Sequence, residues 1–409
     1  MSTSNDDVEA IRKGIAEAAA REQEGRIEQA LQLADQAYTA AQGLKDRGLQ
    51  VQALVQKARA LDGRQTASAR IEAENLYDQA LDMATADGDT LHVAVVWRRL
   101  ALLAVRMDSA TDEALARCEK HAAAVARLSD AALEQARGHH LSCEIDYRNA
   151  RYADAERSAR LAISLLAKTP EQEQALAPAQ QLDLSRYRVA LAKSLEAQGR
   201  IDDAIELYER AWRPAGDPLP LSHDDTVTLQ MNHGLALKKR GKLSRARTML
   251  ETALRSISAD RGLTLDAGII HTFLSDVYYT DGKADDAAYH GNAARQIYEA
   301  VEAPDHRMAE AYTNIANAEM KRKNFAAALV WYEKAIELRR RSLGGDHYQL
   351  GVNEGSLAEA LVGLSRYDEA MDHVLNARKI LEHRTYNPES QQWILAVHGR
   401  VLDGLQRGA

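Results

Sequence analysis

The sequence predicts an all-α protein, a solenoid of about nine helix hairpins closed by a single capping helix. Three observations predict it. The 409 residues are 45% hydrophobic but only 5% aromatic, with two Phe and seven Pro, so the apolar mass is largely Ala and Leu, both strong helix formers. Alanines paired seven residues apart recur along the chain. The pairs also return at a nearly constant interval, as they do when one hairpin can bury its apolar face only against the next.

In chain order, EGRIEQALQLADQA supplies Ala30 and Ala37, and ASARIEAENLYDQAL supplies Ala73 and Ala80. SATDEALARCEKHA is a weaker copy, opened by Ala114 but with His121 where a second alanine is expected. The later pairs are Ala155 with Ala162, Ala204 with Ala211, Ala246 with Ala253, Ala287 with Ala294, Ala328 with Ala335, and Ala370 with Ala377. The opening alanines are 41 to 43 residues apart, except for 49 between Ala155 and Ala204. Seven residues make two helical turns, so each pair lies on one face, where small side chains admit a neighbouring helix. About twelve residues before the opening alanine, a preceding helix carries its own small residue: Ala18, Ala192, Gly234, Ser275, Ala316 or Ala358. Each repeat therefore reads as a helix, a short turn and an antiparallel helix.

The long interval contains AKTPEQEQALAPAQQLDLS, where Pro170 and Pro178 predict an interruption of helix. Residues 168–182 are accordingly expected to link hairpins 1–4 (9–167) to hairpins 5–9 (183–385). A second proline cluster, RPAGDPLPLSHDD, separates hairpins five and six. In the final stretch, 386–409, NPESQQWILAVHGRVLDGLQ predicts one amphipathic helix. Its Trp393, Leu395, Val397 and Val401 are expected to cover the last hairpin, as the end of a solenoid requires.

The net charge of −8, without basic patches interleaved by aromatics, argues against a nucleic-acid partner. Two cysteines make no disulfide framework and suit a reducing compartment. No stretch resembles a leader or a membrane span, so a cytoplasmic protein is expected. His139 and Cys143 in RGHHLSCEI share a helical face but fall short of a metal ligand set, and Cys143 takes the small-residue place of its hairpin. Beside His347, Asp346 is expected to cap the next helix while the histidine packs the linker. With no nucleophile in a recognisable turn and no phosphate loop, the expectation is a non-enzymatic protein without cofactor or metal. The basic triplets at 238–240, 321–323 and 339–341 lie near helix ends, where cations complement the dipole; an acidic peptide is the anionic partner they would favour.

Residues 309–338, AEAYTNIANAEMKRKNFAAALVWYEKAIEL, resemble the tetratricopeptide repeat family through Tyr312, Ile315, Ala316, Ala328, Tyr332 and Ala335. The resemblance extends over roughly residues 9–385, with a period nearer 42 than the usual 34. It is closest in type to kinesin-light-chain repeats, whose linker is matched by Leu343, Gly344, Asp346 and His347. It implies a right-handed superhelix with first helices lining a concave groove, and a peptide or another protein bound there, as a scaffold or regulator in bacterial signalling or defence. The inward residues it carries over are Arg186, Val189 and Lys193, then Met231, Leu235 and Lys239. Thr272, Asp276 and Tyr279 follow, then Thr313 and Asn317. Asn232, Asn314 and Asn317 match asparagines of a subtype that clamps a terminal carboxylate, but Thr313, Val352 and Ser356 stand where that clamp needs cations. The alternative reading is a ligand- or peptide-responsive sensor that releases an effector when its groove closes. Known peptide sensors of that kind begin with a helix-turn-helix domain, whereas residues 1–42 here read as a repeat.

Overall fold

The computed structural model describes every residue except 1–4, 65, 107–110, 130, 213–222, 261–263, 344–346, 383–387 and 409. All twenty elements among the described residues are α-helices. They form two compact units, Met1–Ala236 and Leu237–Ala409.

Unit 1 opens with α1 (Asn5–Gln23) and α2 (Ile27–Leu44), then α3 (Arg47–Asp62) and α4 (Ala67–Ala86), and α5 (Thr90–Arg106) and α6 (Thr111–Val125). It continues with α7 (Ala132–Arg148) and α8 (Tyr152–Leu166), the short α9 (Pro170–Gln174), and α10 (Pro178–Ala197) with α11 (Ile201–Trp212). The next helix, α12 (His223–Lys239), crosses the boundary. Each first helix packs on its own second helix, and the second helix packs on the first helix of the following hairpin, α8 on α10 included.

Unit 2 contains α13 (Leu243–Asp260), α14 (Leu265–Thr280) with α15 (Ala284–Ala300), and α16 (Asp305–Lys321) with α17 (Phe325–Leu343). It ends with α18 (Tyr348–Gly363), α19 (Tyr367–Glu382) and α20 (Pro388–Gly408), the last packed on both α18 and α19.

The described turns within hairpins share one construction, except after α3, which ends at Gly63 with φ −63°. A left-handed residue ends the first helix, and the next amide donates to the carbonyl five residues back, satisfying an orphan group of the helix end. This bond joins Arg200 N to Leu195 O at 2.9 Å after Gly199 (φ 83°), and Lys283 N to Tyr278 O at 2.9 Å after Gly282. The same bond forms after Ala150, Lys323 and Ser365, which hold the conformation without being glycine.

The opening alanines, Ala30 through Ala370, are all fully buried, and their partners seven residues on are buried too. Among the first-helix marks, Ser275 is also fully buried, and its hydroxyl donates to the Ala287 carbonyl at 2.7 Å. Where His121 replaces an alanine, its ring occupies space left by Gly138 of the next hairpin: a Cβ there would lie 2.8 Å from Nε2. His121 Nδ1 meets the Ala94 carbonyl at 2.9 Å.

Three expectations change in detail. Pro170 and Pro178 begin helices instead of interrupting one, because a first-turn residue needs no amide donor. Thr169 caps the short helix, and Glu173 on it pairs with Arg188, which is 2% exposed. The extra residues of the long interval thus supply a counter-charge to a buried guanidinium. At the end of unit 2, Val397 and Val401 are buried and Trp393 packs against the same cluster as expected, but Ile394 takes the place of Leu395, which is 51% exposed. His347, expected in the linker packing, caps α18, its Nδ1 accepting from Gln349 N at 3.2 Å. Gly344 and Asp346 lie outside the described residues, as does the proline cluster at 213–222.

Candidate functional site

The two helices of a hairpin differ in shelter. From Leu182 to Glu196, α10 has no fully exposed residue, and the same holds along α14 as far as Tyr279, along α16 as far as Met320, and along α18 as far as Val362. Second helices expose residues in nearly every turn, as at Asp202, Asp203, Glu206 and Glu209 of α11. In these hairpins the first helix is therefore the sheltered one, with half-open polar side chains, while the second is solvated. The expected groove residues stand on α10, α12, α14 and α16.

In unit 1, the guanidinium of Arg186 grips Asp225 with two hydrogen bonds of 2.8 Å, fastening α10 to α12. Burial works against its charge, but the Asp225 hydrogen bonds raise its pKa above the usual value. Lys193 lies 3.4 Å from both Glu144 carboxylate oxygens, with Nζ 4.7 Å from the Tyr147 ring centroid. Burial opposes both charges, yet their attraction holds the lysine above and the glutamate below their usual values. Val189, Met231 and Leu235 are half-buried on the same two helices. Asn232 donates to the Thr228 carbonyl at 2.8 Å.

Unit 2 contains the rest. Thr272 is buried, its hydroxyl bonded to Gly268 O and Tyr298 Oη at 3.0 Å each, so this expected groove residue is turned into the core. Asn314 donates to the Thr272 carbonyl at 2.8 Å, tying α16 to α14. Asn317 accepts from Tyr332 Oη at 2.6 Å, and Thr313 accepts from the buried Asn353 at 3.0 Å. Asp276 pairs with Lys238, and the half-open Tyr279 has Lys321 Nζ 5.0 Å from its ring centroid. Lys239 is exposed. The threonine and asparagines thus spend their polar groups on holding helices together, while Asp276 and Tyr279 are half-open and Lys239 is exposed.

The basic triplets are drawn into the same framework. Arg322 pairs with Asp285 at 2.6 Å, Arg340 with Glu354 at 2.6 Å and Arg341 with Asp305 at 2.8 Å. Arg339 is buried and bonds to Gln349. Cys143 is buried with Sγ 3.8 Å from Ser194 Oγ, and burial pushes its thiol up to about 12. Neighbouring His140 lies against the Tyr187 ring, 4.9 Å between centroids. Among the described residues, no group of three or more His, Cys, Asp or Glu is placed to hold a metal, and no helix is long and apolar enough to cross a membrane.

Sequence reasoning missed a ladder of charge along the first helices of unit 1. Arg98 of α5 bonds Glu134 of α7 at 3.0 Å, Arg137 bonds Asp183 of α10 at 2.9 Å, and Arg186 continues to Asp225. Its signal was the acid-x-x-Arg spacing at Glu134/Arg137 and again at Asp183/Arg186, 49 residues on.

Residues 307–383 match the Tetratricopeptide repeat family. No curated protein matches the chain. The solved structures similar to it include BtubC (BKLC) from P. vanneervenii, at 18% identity over 56% of this chain and 92% of that one, with a TM-score of 0.46. A putative kinesin light chain with TPR-like repeats from Podosopora anserina aligns at 17% identity over 52% and 99%, with a TM-score of 0.42. PilF of Pseudomonas aeruginosa aligns at 13% identity over 65% and 99%, with a TM-score of 0.44.

Proposed function

We propose that the protein is a non-enzymatic scaffold or regulator that binds an extended segment of a partner protein along its row of first helices. Tetratricopeptide repeats, matched here at 307–383, are in general protein-interaction modules. The observation that carries the reading is the shelter of first helices such as α10, α16 and α18, which have no fully exposed residue over most of their length and nevertheless present half-open polar and apolar side chains. In unit 1, Val189, Met231 and Leu235 lie on helices whose flanking charges are already paired, Arg186 with Asp225 and Lys193 with Glu144. An apolar side chain docking there displaces little bound charge, and its burial yields roughly 25 cal/mol per Å². In unit 2, the half-open Asp276 and Tyr279 and the exposed Lys239 are the polar side chains that such a segment would meet. The same reading gives the protein a cytoplasmic setting and a part in bacterial signalling or defence, in keeping with two unbridged thiols and the kinesin-light-chain-like linker.

The test is site-specific photocrosslinking in extract of the native cells, with a photoreactive residue at Leu235 on the inner row or at Leu161, which is 50% exposed on the outer layer. A partner captured from position 235 and not from 161 supports the reading. Capture from 161 alone moves recognition to the second helices and overturns it.

A further inference from the structure

The last helix stands in register with the first helices before it. Gly363 of α18 lies against Phe325 of α17, and Gly404 of α20 lies against Tyr367 of α19 in the same way. The small residue that marks a first helix also returns on schedule, as Ala316, then Ala358, then Gly399. The two alanines are fully buried. Gly399 is exposed, and a Cβ placed on it would meet nothing within 4 Å.

The contrast extends along the face. On α18, Leu361 is buried and Glu354 is buried against His373 of α19. Their counterparts on α20, Leu402 and Leu395, are 43% and 51% exposed. Gln392, Leu395, Gly399, Leu402 and Gln406 follow one another at alternating steps of three and four, the spacing of a helix-packing face, and all five are exposed although α20 packs on both α18 and α19. A helix that served only as an end cap would turn a polar face outward. Instead α20 is built as the first helix of a hairpin, with no second helix packed on it among the described residues.

Elsewhere in the chain such a face is covered by an antiparallel helix with small residues at the contact. A second α20 meets both conditions. Placed against its copy about a two-fold axis near Gly399, the helix runs antiparallel, brings glycine to glycine at the closest point, and sets Leu395 of each copy beside Leu402 of the other. The same operation brings Glu389, in the first turn, near Arg407, in the last turn of the other copy, so that charges match at both ends of the contact. A parallel pair would set arginine against arginine.

We propose that α20 is the docking surface for a second copy of this chain, the two copies associating antiparallel through Leu395, Gly399 and Leu402. One helix face is small beside the roughly 1,200 Å² that a stable interface buries, so the association is weak and depends on concentration. The inference concerns the end of unit 2 and does not rest on the proposed function.

Sedimentation velocity of the full-length protein at rising concentration, up to about 100 μM, tests it. The expected result is a shift from monomer towards dimer. Leu395→Glu combined with Leu402→Glu should hold the protein monomeric over the same range, while Ile71→Glu, at an exposed aliphatic position of unit 1, should leave the shift unchanged. Arg407→Glu should weaken the dimer and Glu389→Arg added to it should restore it; a swap that restores nothing overturns the antiparallel order. A wild type that stays monomeric throughout overturns the proposal and leaves the face to a different chain. A dimer that survives in the double-glutamate variant overturns it by placing the contact elsewhere. If that variant does not fold, as judged by circular dichroism, Gly399→Cys decides. Oxidation with diamide should then join two copies by a disulfide that the wild type does not form, and failure to cross-link overturns the proposal.

Discussion

Gly138 and His121 show how one residue is fitted to another across hairpins. Every other hairpin has an alanine at the His121 position, and here the facing residue, Gly138, lacks the Cβ that would meet the ring. Gly138→Ala is expected to lower stability by about 1–3 kcal/mol through overpacking. In a His121→Ala background the same change should cost far less, because two alanines then meet as they do elsewhere. Urea midpoints of the four proteins give the coupling directly. Glu354 makes a second residue-scale case. It is 1% exposed and bonds to Arg340 and His373 at 2.6 Å each. Burial opposes its ionisation, but the hydrogen bonds from His373 and Arg340 win and hold the carboxyl below its usual value. The stability it contributes is therefore fully present above the pKa of an unfolded glutamate, about 4.3, and is lost as pH falls through the lower folded value. Glu354→Gln should cost about 1–3 kcal/mol at neutral pH. The gap to wild type should narrow in urea titrations repeated below pH 4.

At the scale of the element, α9 earns its place by one side chain. Glu173 is the carboxylate that faces the buried Arg188, and Arg210 approaches it at 3.5 Å. Removing its charge strands a guanidinium that water cannot reach, so Glu173→Gln is expected to cost about 3–5 kcal/mol. Circular dichroism melts, with Glu171→Gln on the exposed side of the same helix as the control, check this. The element scale is also where the sequence was most legible. Alanines at 30, 73, 114 and onward located every second helix, because close helix contact demands small side chains at a spacing the eye can follow. Pro170 and Pro178 misled, since proline is equally at home in the first turn of a helix and outside one. Site residues were less legible still. Residue type marked Thr272, Asn314 and Asn317 as polar contacts for a partner, but only coordinates reveal that a neighbouring helix already uses them.

For the molecule as a whole, the ends of the helix array are where packing is most at risk. In unit 2, α20 closes the array with Ile394, Val397 and Val401, all essentially buried against a cluster that includes Val374, Leu357 and Leu361. Deleting residues 388–409 uncovers that cluster. At about 1.5–3 kcal/mol for each buried aliphatic side chain, the loss should be on the order of 5 kcal/mol. The truncated protein should melt earlier and scatter light in proportion to its concentration, as an exposed apolar patch predicts. A truncation that melts and scatters like the intact chain would show that α20 is not a cap.

The alanine contacts have a consequence for descent. They specify a side chain at about two positions in each second helix and leave the outer, solvated positions to whatever water tolerates. A lineage built in this way can exchange most of its letters while its fold stays intact, so kinship in it fades from residue identity long before it fades from rhythm.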